Sequence, residues 1–577
     1  MNTAEYLVKK LEELGINHFF GVPGDYNFNI LYAIENNPKT NWIGCTNELN
    51  AGYSADGYAR ERGYGALVTT YGVGELSAIN AIAGSFAENI PVINIVGVPS
   101  TKTIANKTCV HHNFQDVQPY TYAEAYKNVV ETTAFLNRDN AKIEIDRVLK
   151  VFVKERKPVY IAIPADIAKM EISEKNVEYS WESDKETLNK VVDLISNKIK
   201  KSKKPVILGD TLIKRFDAKE KYREFVEKSG IPATNFLMGT NILDYDLKNN
   251  LGTYFSEFMN PIAKKHLEQT DCLIAVGVIY SDLNSFGLNL SYKINSHIAL
   301  YGTYAYIDGI RYDDIKMSEV LEELSKTIES KEFVIEKSQY FYKKPSLPEG
   351  KLTSKYIYPR LQEFMKEDDI LIAETGIIPF GVAQINFPKN SELVTQTLWG
   401  SIGWATPTAL GMSIASEKKK VILFAGEGSY QISAMELGSM LRYDVKPVVI
   451  VLNNKGYTTE RMLSENFDDK FNDVLQMNYS KFARVFEGDI WSTRVESEDD
   501  FDKALKVTQI MNKLCFIEIC TASDDVPELA ENLILSLRKK QDAEIAEIPE
   551  NYNNSKLENK IAKGLLNFGT KVHESLK

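Results

Sequence analysis

Residues 421–460 read VILFAGEGSYQISAMELGSMLRYDVKPVVIVLNNKGYTTE, and this stretch decides the predicted fold. Two apolar runs, at residues 421–424 and 447–452, predict β-strands, and residues 433–443 between them predict a helix. Strand, helix and strand in this order form one unit of a parallel sheet. Polar residues follow both strands, and open parallel sheets bind their ligands at that edge.

The residues after these two strands suit a phosphorylated ligand held through a metal ion. Gly426 and Gly428 allow the backbone to approach a bulky anion, and the following helix offers unpaired N–H groups to phosphate. Glu427 and Asn454 supply carboxylate and amide oxygens, which suit a hard cation such as Mg²⁺. A glycine-lined turn with a solvated acid explains the same residues, so the chemistry of this segment alone leaves both readings open.

Short apolar strands alternate with amphipathic helices along the rest of the chain. This pattern predicts an α/β protein with three doubly wound parallel sheets. Polar or proline-rich stretches at residues 173–186 and 343–350 separate the three regions. We therefore expect domains at residues 1–175, 187–342 and 352–542, followed by a tail at 543–577 in which residues 556–576 fit an amphipathic helix.

Composition excludes several classes of function. The chain has 577 residues, of which 44% are hydrophobic and 25% charged, as in ordinary globular proteins. Its net charge of −11 argues against a general nucleic-acid binder. No run reaches the roughly 18 apolar residues of a spanning helix, and the start becomes charged too early for a signal peptide. Five cysteines without a C-x-x-C pair argue against disulfides or thiolate zinc and favour a reducing cytoplasm.

The order strand, Gly-acid-Gly-Ser, helix, strand, Asn-Asn-x-Gly resembles the signature of the thiamine diphosphate enzymes. The chain is most similar to their 2-oxo acid decarboxylase branch, which includes pyruvate, indolepyruvate, phenylpyruvate and branched-chain 2-oxo acid decarboxylases. The resemblance implies that Mg²⁺ is held by Glu427, Asn454 and the carbonyl of Gly456. The family usually has Asp where this chain has Glu427, whose longer side chain matters because Mg²⁺ demands near-octahedral geometry.

Further segments resemble the family's cofactor-binding loops. Residues 395–404, TQTLWGSIGW, resemble the segment beneath the thiazolium, where Ile402 would hold the cofactor bent and the Gly400 carbonyl would accept from its 4′-amino group. Residues 373–376, AETG, resemble a loop beside the cofactor. The full set of cofactor-binding residues that the resemblance implies is Glu48, Thr375, Gly400, Ile402, Gly426, Gly428, Ser429, Asn454, Gly456 and Tyr457.

Glu48 is the first catalytic candidate. It lies near the expected start of a helix within residues 47–60, NELNAGYSADGYAR, and an acid there is also explained by the helix dipole alone. The resemblance implies that Glu48 hydrogen-bonds the cofactor ring nitrogen N1′ and so promotes loss of the thiazolium C2 proton.

Four more residues are implied in proton transfer or charge stabilisation by the same resemblance: Asp25, His111, His112 and Glu460. Taken alone, Asp25 is a turn signal and a histidine pair is more often structural. The loop after the pair, residues 113–118, differs from the family pattern. Residues 72–77, GVGELS, lack the third glycine of a dinucleotide-binding motif, so we expect a structural turn there.

The resemblance implies non-oxidative decarboxylation of a 2-oxo acid to an aldehyde and CO₂ through a thiamine diphosphate enamine. Pyruvate-restricted members carry an aromatic residue and an Ile where this chain has Pro379 and Thr459. Both residues are smaller, and Phe380 and Leu463 would line the enlarged pocket, so we expect an aromatic or branched-chain substrate.

Two alternatives stay open. One is a carboligase of the acetolactate synthase kind. The histidine pair and Glu460 argue against it. The other is a noncatalytic cofactor-binding or scaffold homologue, which only Glu427 suggests. The resemblance also implies a homodimer or homotetramer with active sites at the subunit interface. Net charge and the lack of a long apolar run lead us to expect no nucleic-acid or membrane partner.

Overall fold

Three mainly parallel β-sheets with flanking helices follow one another along the chain, which confirms the predicted α/β class. The computed structural model describes residues 1–115, 119–173, 177–286, 298–416 and 418–546. In each sheet the strands run outward in both directions from an early strand, as in doubly wound folds. Residues 1–530 form one body, and a separate unit begins at Glu531.

The first sheet has six parallel strands in the order β2-β1-β3-β4-β6-β5. Its strands are β1 (His18–Gly21), β2 (Asn41–Gly44), β3 (Gly65–Thr70), β4 (Val92–Val98), β5 (Thr132–Phe135) and β6 (Val159–Pro164). Its helices are α1 (Thr3–Glu13), α2 (Phe28–Asn36), α3 (Glu48–Arg62), α4 (Val73–Ala87), α5 (Thr101–Ala105), α6 (Tyr120–Tyr126), α7 (Ala141–Glu155) and α8 (Ala165–Ala168).

The middle sheet has seven strands in the order β13-β12-β11-β10-β7-β8-β9. They are β7 (Pro205–Gly209), β8 (Ala233–Asn235), β9 (Asn250–Thr253), β10 (Cys272–Val276), β11 (Ile298–Leu300), β12 (Tyr304–Ile307) and β13 (Ile310–Asp313). The helices here are α9 (Lys185–Lys201), α10 (Leu212–Arg215), α11 (Lys219–Ser229), α12 (Pro261–Gln269), α13 (Asp282–Ser285) and α14 (Met317–Thr327).

The third sheet has six parallel strands in the order β15-β14-β16-β17-β19-β18. They are β14 (Ile370–Ala373), β15 (Glu392–Val394), β16 (Val421–Gly426), β17 (Val448–Asn453), β18 (Ile490–Val495) and β19 (Leu514–Cys520). The helices are α15 (Ser354–Phe364), α16 (Ile378–Val382), α17 (Ala405–Ala415), α18 (Glu427–Ser433), α19 (Glu436–Arg442), α20 (Thr458–Leu463), α21 (Tyr479–Phe482), α22 (Glu498–Ile510) and α23 (Glu528–Ala546).

Three sequence predictions need comment. The predicted start of the helix at residues 433–443 is wrong, because α18 already begins at Glu427 and a second helix, α19, begins at Glu436. The middle sheet is not wholly parallel: β12 and β13 form an antiparallel hairpin, whose turn residues Asp308 and Gly309 both have positive φ. The helix predicted at residues 556–576 lies outside the described residues.

Helices α3 and α17 bring the first and third sheets into direct contact. A Cβ added to Gly57 would lie 2.4 Å from the carbonyl oxygen of Thr408, and one added to Gly411 would lie 1.9 Å from that of Ser54. Only glycine permits so close a backbone approach. Residues of both sheets therefore share one hydrophobic core.

Buried charges also join the three sheets. Asp56 and Glu88 both bind the Arg60 guanidinium, at 2.7 and 2.9 Å. The Trp404 indole N–H donates to Asp56 at 3.1 Å, and Arg215 of α10 reaches Glu88 at 3.4 Å. Each buried carboxylate thus meets a donor from another part of the chain, which limits its desolvation cost.

None of the helices in the described part of the chain is both long and apolar enough to cross a membrane.

A buried carboxyl group lies at the carboxyl end of β7, an interior strand of the middle sheet. Asp210 follows β7 directly and is fully buried. Its Oδ2 accepts hydrogen bonds from the Ile279 N–H at 3.0 Å and the Asn284 amide at 2.8 Å. Burial raises the pKa of Asp210 to about 7.

Asp210→Asn should therefore stabilise the protein at alkaline pH. The folded wild type keeps a proton that the unfolded chain loses near pH 4, so wild-type stability falls as the pH rises from about 4 to 7. The amide variant avoids this loss, and we expect its advantage in unfolding free energy to grow to about 1–4 kcal/mol at pH 8. Urea unfolding between pH 5 and 8 measures it, with Asp444→Asn, a largely exposed site, as control. An effect independent of pH would contradict the prediction.

Candidate active site

Three oxygen-bearing groups converge where β16 and β17 end. Glu427, Asn454 and Gly456 are all buried, and Glu427 is only 1% exposed. The terminal amide atom of Asn454 lies 3.3 Å from Glu427 Oε2 and 3.0 Å from the carbonyl oxygen of Gly456. Because β16 and β17 pair in parallel, with Gly426 opposite Leu452, their carboxyl ends meet at one edge.

The orientation of the Asn454 amide tests whether these groups fit a cation. With its NH₂ turned toward Glu427 and Gly456, the amide donates to both, and its oxygen accepts from the Thr458 hydroxyl at 2.8 Å. The opposite orientation directs three oxygens at one point, separated by 3.0 and 3.3 Å. Adjacent ligands of an octahedral Mg²⁺ ion are about 3.0 Å apart, given bonds of about 2.1 Å. The groups therefore fit a small divalent cation.

The loop that carries Gly456 is held in a shape that few residues allow. Gly456 has a φ of +148°, and an added Cβ would lie 2.5 Å from the carbonyl oxygen of Asn472. Its N–H donates to Glu427 Oε1 at 2.7 Å, and Arg461 donates to the carbonyl of Lys455 at 3.1 Å. One carboxylate oxygen of Glu427 thus fixes the loop while the other faces the converging oxygens.

Open space lies beside the converging oxygens. A Cβ on Gly426 would meet no atom within 4 Å, whereas the ring of Tyr457 packs on Gly428. Glu427 is the first residue of α18, so Gly428 and Ser429 lie in the first helical turn. The N–H groups of a first turn have no hydrogen-bond acceptors within the helix. The start of α18 therefore presents N–H donors next to a space that a side chain would otherwise fill.

Glu374 organises the neighbouring loops. This buried carboxylate accepts the N–H of Thr375 at 3.0 Å, of Gly403 at 3.2 Å and of Ala405 at 3.1 Å. Burial raises its pKa to about 7, although the three N–H donors oppose the shift. It therefore ties the end of β14 to the loop that carries Gly400 and Ile402. Ile402 remains 36% exposed.

A second cluster lies in the connections of the first sheet, where Asp25 follows β1, Glu48 follows β2, and His111 and His112 follow β4 and α5. Glu48 is the first residue of α3, as predicted, and its Oε1 lies 3.2 Å from the Cβ position of Gly74. The His111 ring nitrogen lies 3.1 Å from Asp25 Oδ2, and ligand atoms of Asp25, His111 and His112 all lie within 4.8 Å of one another. The predicted groups Asp25, His111 and His112 are thus brought together.

The two clusters lie on different sheets of the chain. No hydrogen bond or ion pair among the described residues links Glu48, Asp25 or the histidines to the Glu427 group. Glu460 is exposed on α20, which begins two residues after Gly456 of the Glu427 group. The predicted site residues therefore form two groups, one on the first sheet and one on the third.

The predicted substrate-pocket residues occupy different environments. Pro379 and Phe380 are buried in α16, and Phe380 packs against Phe255 and Phe286 at ring distances of 5.6 and 5.4 Å. The Thr459 hydroxyl lies 3.9 Å from the Cβ position of Gly376 and has no hydrogen-bond partner among the described groups. Leu463 ends α20 and is half-buried.

Sequence reasoning missed the organising role of Glu374. Its signal was present, since an acid directly follows the apolar strand at residues 370–373. It also missed Glu436, which contacts the start of α3 and carries no motif of its own.

Comparison with known proteins places the chain in a family. Three family models match it: the N-terminal TPP binding domain of thiamine pyrophosphate enzymes at residues 1–120, their central domain at 192–316 and their C-terminal TPP binding domain at 374–519. Pyruvate decarboxylase isozyme 1 of Saccharomyces cerevisiae is 32% identical over 91% of this chain and 96% of its own length. This chain belongs to the thiamine diphosphate-dependent 2-oxo acid decarboxylases.

Other relatives agree. Pyruvate decarboxylase of Kluyveromyces lactis is 32% identical over 90% of this chain and 96% of its own length. A putative pyruvate decarboxylase of Schizosaccharomyces pombe is 34% identical over 84% of this chain and 88% of its own length. As a member of this family the protein is a carboxy-lyase with thiamine diphosphate as cofactor, which confirms the predicted class of reaction.

Glu427→Gln should weaken cofactor binding through the metal. The amide keeps the size of the side chain but loses the negative charge that a divalent cation requires. We expect the Mg²⁺ concentration that half-saturates thiamine diphosphate binding to rise at least tenfold, measured by fluorescence quenching or calorimetry. Glu460→Gln, at an exposed neighbouring acid, is the control and should bind normally. Equal Mg²⁺ dependence in Glu427→Gln and wild type would show that Glu427 is not a ligand.

Proposed function

We propose that this decarboxylase acts on 2-oxo acids with aromatic or branched side chains and releases the corresponding aldehyde and CO₂. The relatives are named pyruvate decarboxylases, so pyruvate is the competing substrate. The observation that carries the proposal is the place of Thr459, whose small side chain faces Gly376 beside the converging loops. An isoleucine there would fill space that a larger substrate needs.

We propose that Glu427, Asn454 and the Gly456 carbonyl hold Mg²⁺, which in turn holds the cofactor diphosphate. Gly426, Gly428, Ser429 and Tyr457 surround the diphosphate in this proposal, and Thr375, Gly400 and Ile402 lie along the rings. The convergence of three oxygens at 3.0 and 3.3 Å supports the metal site. When bound, thiamine diphosphate supplies the electron sink for loss of CO₂.

Glu48 would hold a proton at N1′ of the cofactor aminopyrimidine. Glu48 occupies the first position of α3, and its Oε1 lies beside Gly74 in the first turn of α4. A carboxyl group that shares a proton with a ring nitrogen controls the acidity of the amino group across that ring.

Asp25, His111 and His112 would bind and move protons at the substrate end of the site, and Glu460 would act on the substrate carboxylate. The contact of 3.1 Å between His111 and Asp25 supports joint proton handling, because the two groups lie within hydrogen-bond distance of each other. In this proposal His112 and Asp25 transfer the proton, and His111 orients the loop.

We further propose a homodimer, with two dimers pairing as a homotetramer, in which one subunit's Glu48 cluster completes its partner's Glu427 cluster. The placement of the two clusters on different sheets, with no hydrogen bond or ion pair between them among the described residues, supports this. So do exposed apolar side chains near both clusters, since large exposed patches mark interfaces. These side chains are Val73, Leu398, Trp399, Ile402, Ile432 and Met435.

The extents of the three sheets and the state of the cysteines support two further proposals. We propose domain boundaries at residues 1–175, 187–342 and 352–542, because each range encloses one of the three sheets. We also propose a cytoplasmic location, which is supported by five cysteines that form no disulfide.

A panel of 2-oxo acids tests the substrate proposal. We expect kcat/KM for phenylpyruvate or 4-methyl-2-oxopentanoate to exceed that for pyruvate at least tenfold, read out as aldehyde and CO₂. Thr459→Ile should lower kcat/KM at least tenfold for the larger acids and leave kcat/KM for pyruvate nearly unchanged. Thr459→Val, which removes the hydroxyl at nearly constant size, is the matched control and should change selectivity little. A preference for pyruvate in the wild type would refute the proposed selectivity, and acetolactate as the main product would favour the carboligase.

Mixed dimers test the shared site. Glu48→Gln and Glu427→Ala should each be nearly inactive, because every site in either homodimer lacks one group. Co-expression should restore about a quarter of wild-type activity, since half of randomly formed dimers are mixed and each has one intact site. Mass spectrometry of intact dimers gives the mixing ratio. Mixed dimers as inactive as the parents would show that both groups act within one chain.

A further inference from the structure

Glu436 reaches from the third sheet to the start of α3, and no role has been assigned to it above. It is the first residue of α19 and is 0% exposed. Its Oε2 accepts the Thr46 hydroxyl at 2.6 Å, the Thr46 N–H at 3.3 Å and the Asn50 amide at 2.9 Å. Its Oε1 has no hydrogen-bond partner among the described residues.

The three donors belong to residues on either side of Glu48. Thr46 lies two positions before it and Asn50 two positions after it, so a single oxygen atom closes a bridge across the segment that holds the catalytic candidate. A helix start has N–H groups with no partners inside the helix and frays unless side chains cap it. Asn47 caps one N–H of α3, that of Asn50, at 2.8 Å. Glu436, which lies outside the helix, binds the N–H and hydroxyl of Thr46 and the side-chain amide of Asn50.

We propose that Glu436 is a positioning residue, which orients Glu48 toward the cofactor by holding Thr46 and Asn50. This inference rests on the proposed role of Glu48. A carboxylate accepts stronger hydrogen bonds than a neutral group, and all three donors here are neutral. Burying a carboxylate with no cation beside it costs free energy, and the three hydrogen bonds that Glu436 accepts offset part of this cost.

The same carboxylate connects the two halves of the fold. Glu436 follows α18, which opens with the metal-ligand candidate Glu427, and its bonds end on the segment of Glu48. Tyr443, just beyond the other end of α19, accepts the Gly44 N–H at 2.6 Å. Glu436 and Tyr443 therefore both bind the chain before or within α3, but only Glu436 brackets Glu48.

Hydrogen–deuterium exchange at two places tests the inference. The first readout needs no cofactor: in the apo protein, Glu436→Ala should speed amide exchange in peptides covering residues 45–51, because the Thr46 N–H loses its acceptor. The second is exchange of the C2 proton of bound thiamine diphosphate, which we expect to slow at least tenfold in Glu436→Ala at saturating cofactor and Mg²⁺. Affinity for the cofactor should stay within about threefold of wild type.

Conservative and control variants separate positioning from general damage. Glu436→Gln keeps an acceptor oxygen, so its C2 exchange should stay within about threefold of wild type. Tyr443→Phe removes another tie to the same segment and should leave C2 exchange within about twofold. Equal losses in Tyr443→Phe, or a Glu436→Gln variant as slow as Glu436→Ala, would overturn the inference. So would unchanged C2 exchange in Glu436→Ala.

The positioning role can still be tested if Glu436→Ala does not fold, and it can be distinguished from failure of the proposed role of Glu48. If Glu436→Ala does not fold, Thr46→Val takes its place, because it removes the 2.6 Å bond to Glu436 together with the 3.0 Å bond that the same hydroxyl accepts from the Asn50 amide. C2 exchange at least threefold slower supports the inference, and unchanged C2 exchange refutes it. If the wild type itself does not accelerate C2 exchange, the proposed role of Glu48 fails, and the positioning role fails with it. Fast exchange in both wild type and Glu436→Ala refutes only the positioning role.

Discussion

The parallel pairing of β16 with β17 is the constraint on which the candidate site depends. It brings the residues that follow both strands to one edge, where a carboxylate, an amide and a backbone carbonyl approach within 3.3 Å. Oxygens this close repel one another unless a donor or a cation lies between them. The N–H of Gly456 and the turned amide of Asn454 meet that need in the protein alone, and a divalent ion meets it in the other amide orientation.

The longer acid at position 427 is compatible with this arrangement. Its Oε1 reaches the Gly456 N–H at 2.7 Å, and the helix α18 starts at the acid itself. The loop and the helix start therefore set the depth at which the carboxylate lies. The side chain divides its two oxygens between holding the loop and facing the site, so one residue would both build the proposed metal site and belong to it.

Local pattern predicted the strands well, because apolar runs bounded by glycine, proline or polar residues are a local signal. The predicted strands at residues 92–98, 272–276 and 370–373 coincide with β4, β10 and β14. Contacts between distant segments have no such signal. Glu436 meets Thr46 across 390 positions, and the buried acid Glu374 binds N–H groups of Gly403 and Ala405. The start of α18 was missed because glycine and serine suggest a loop, whereas tertiary packing overrides that preference.

The seam between Gly57 and Gly411 has a consequence for recombining this chain with its relatives. Backbones that nearly touch must match in shape on both sides, so each helix is complementary only to the partner with which it evolved. A chimaera whose crossover separates α3 from α17 would combine two surfaces that never adapted to each other. Shuffled libraries should yield folded members mainly when both helices come from the same parent.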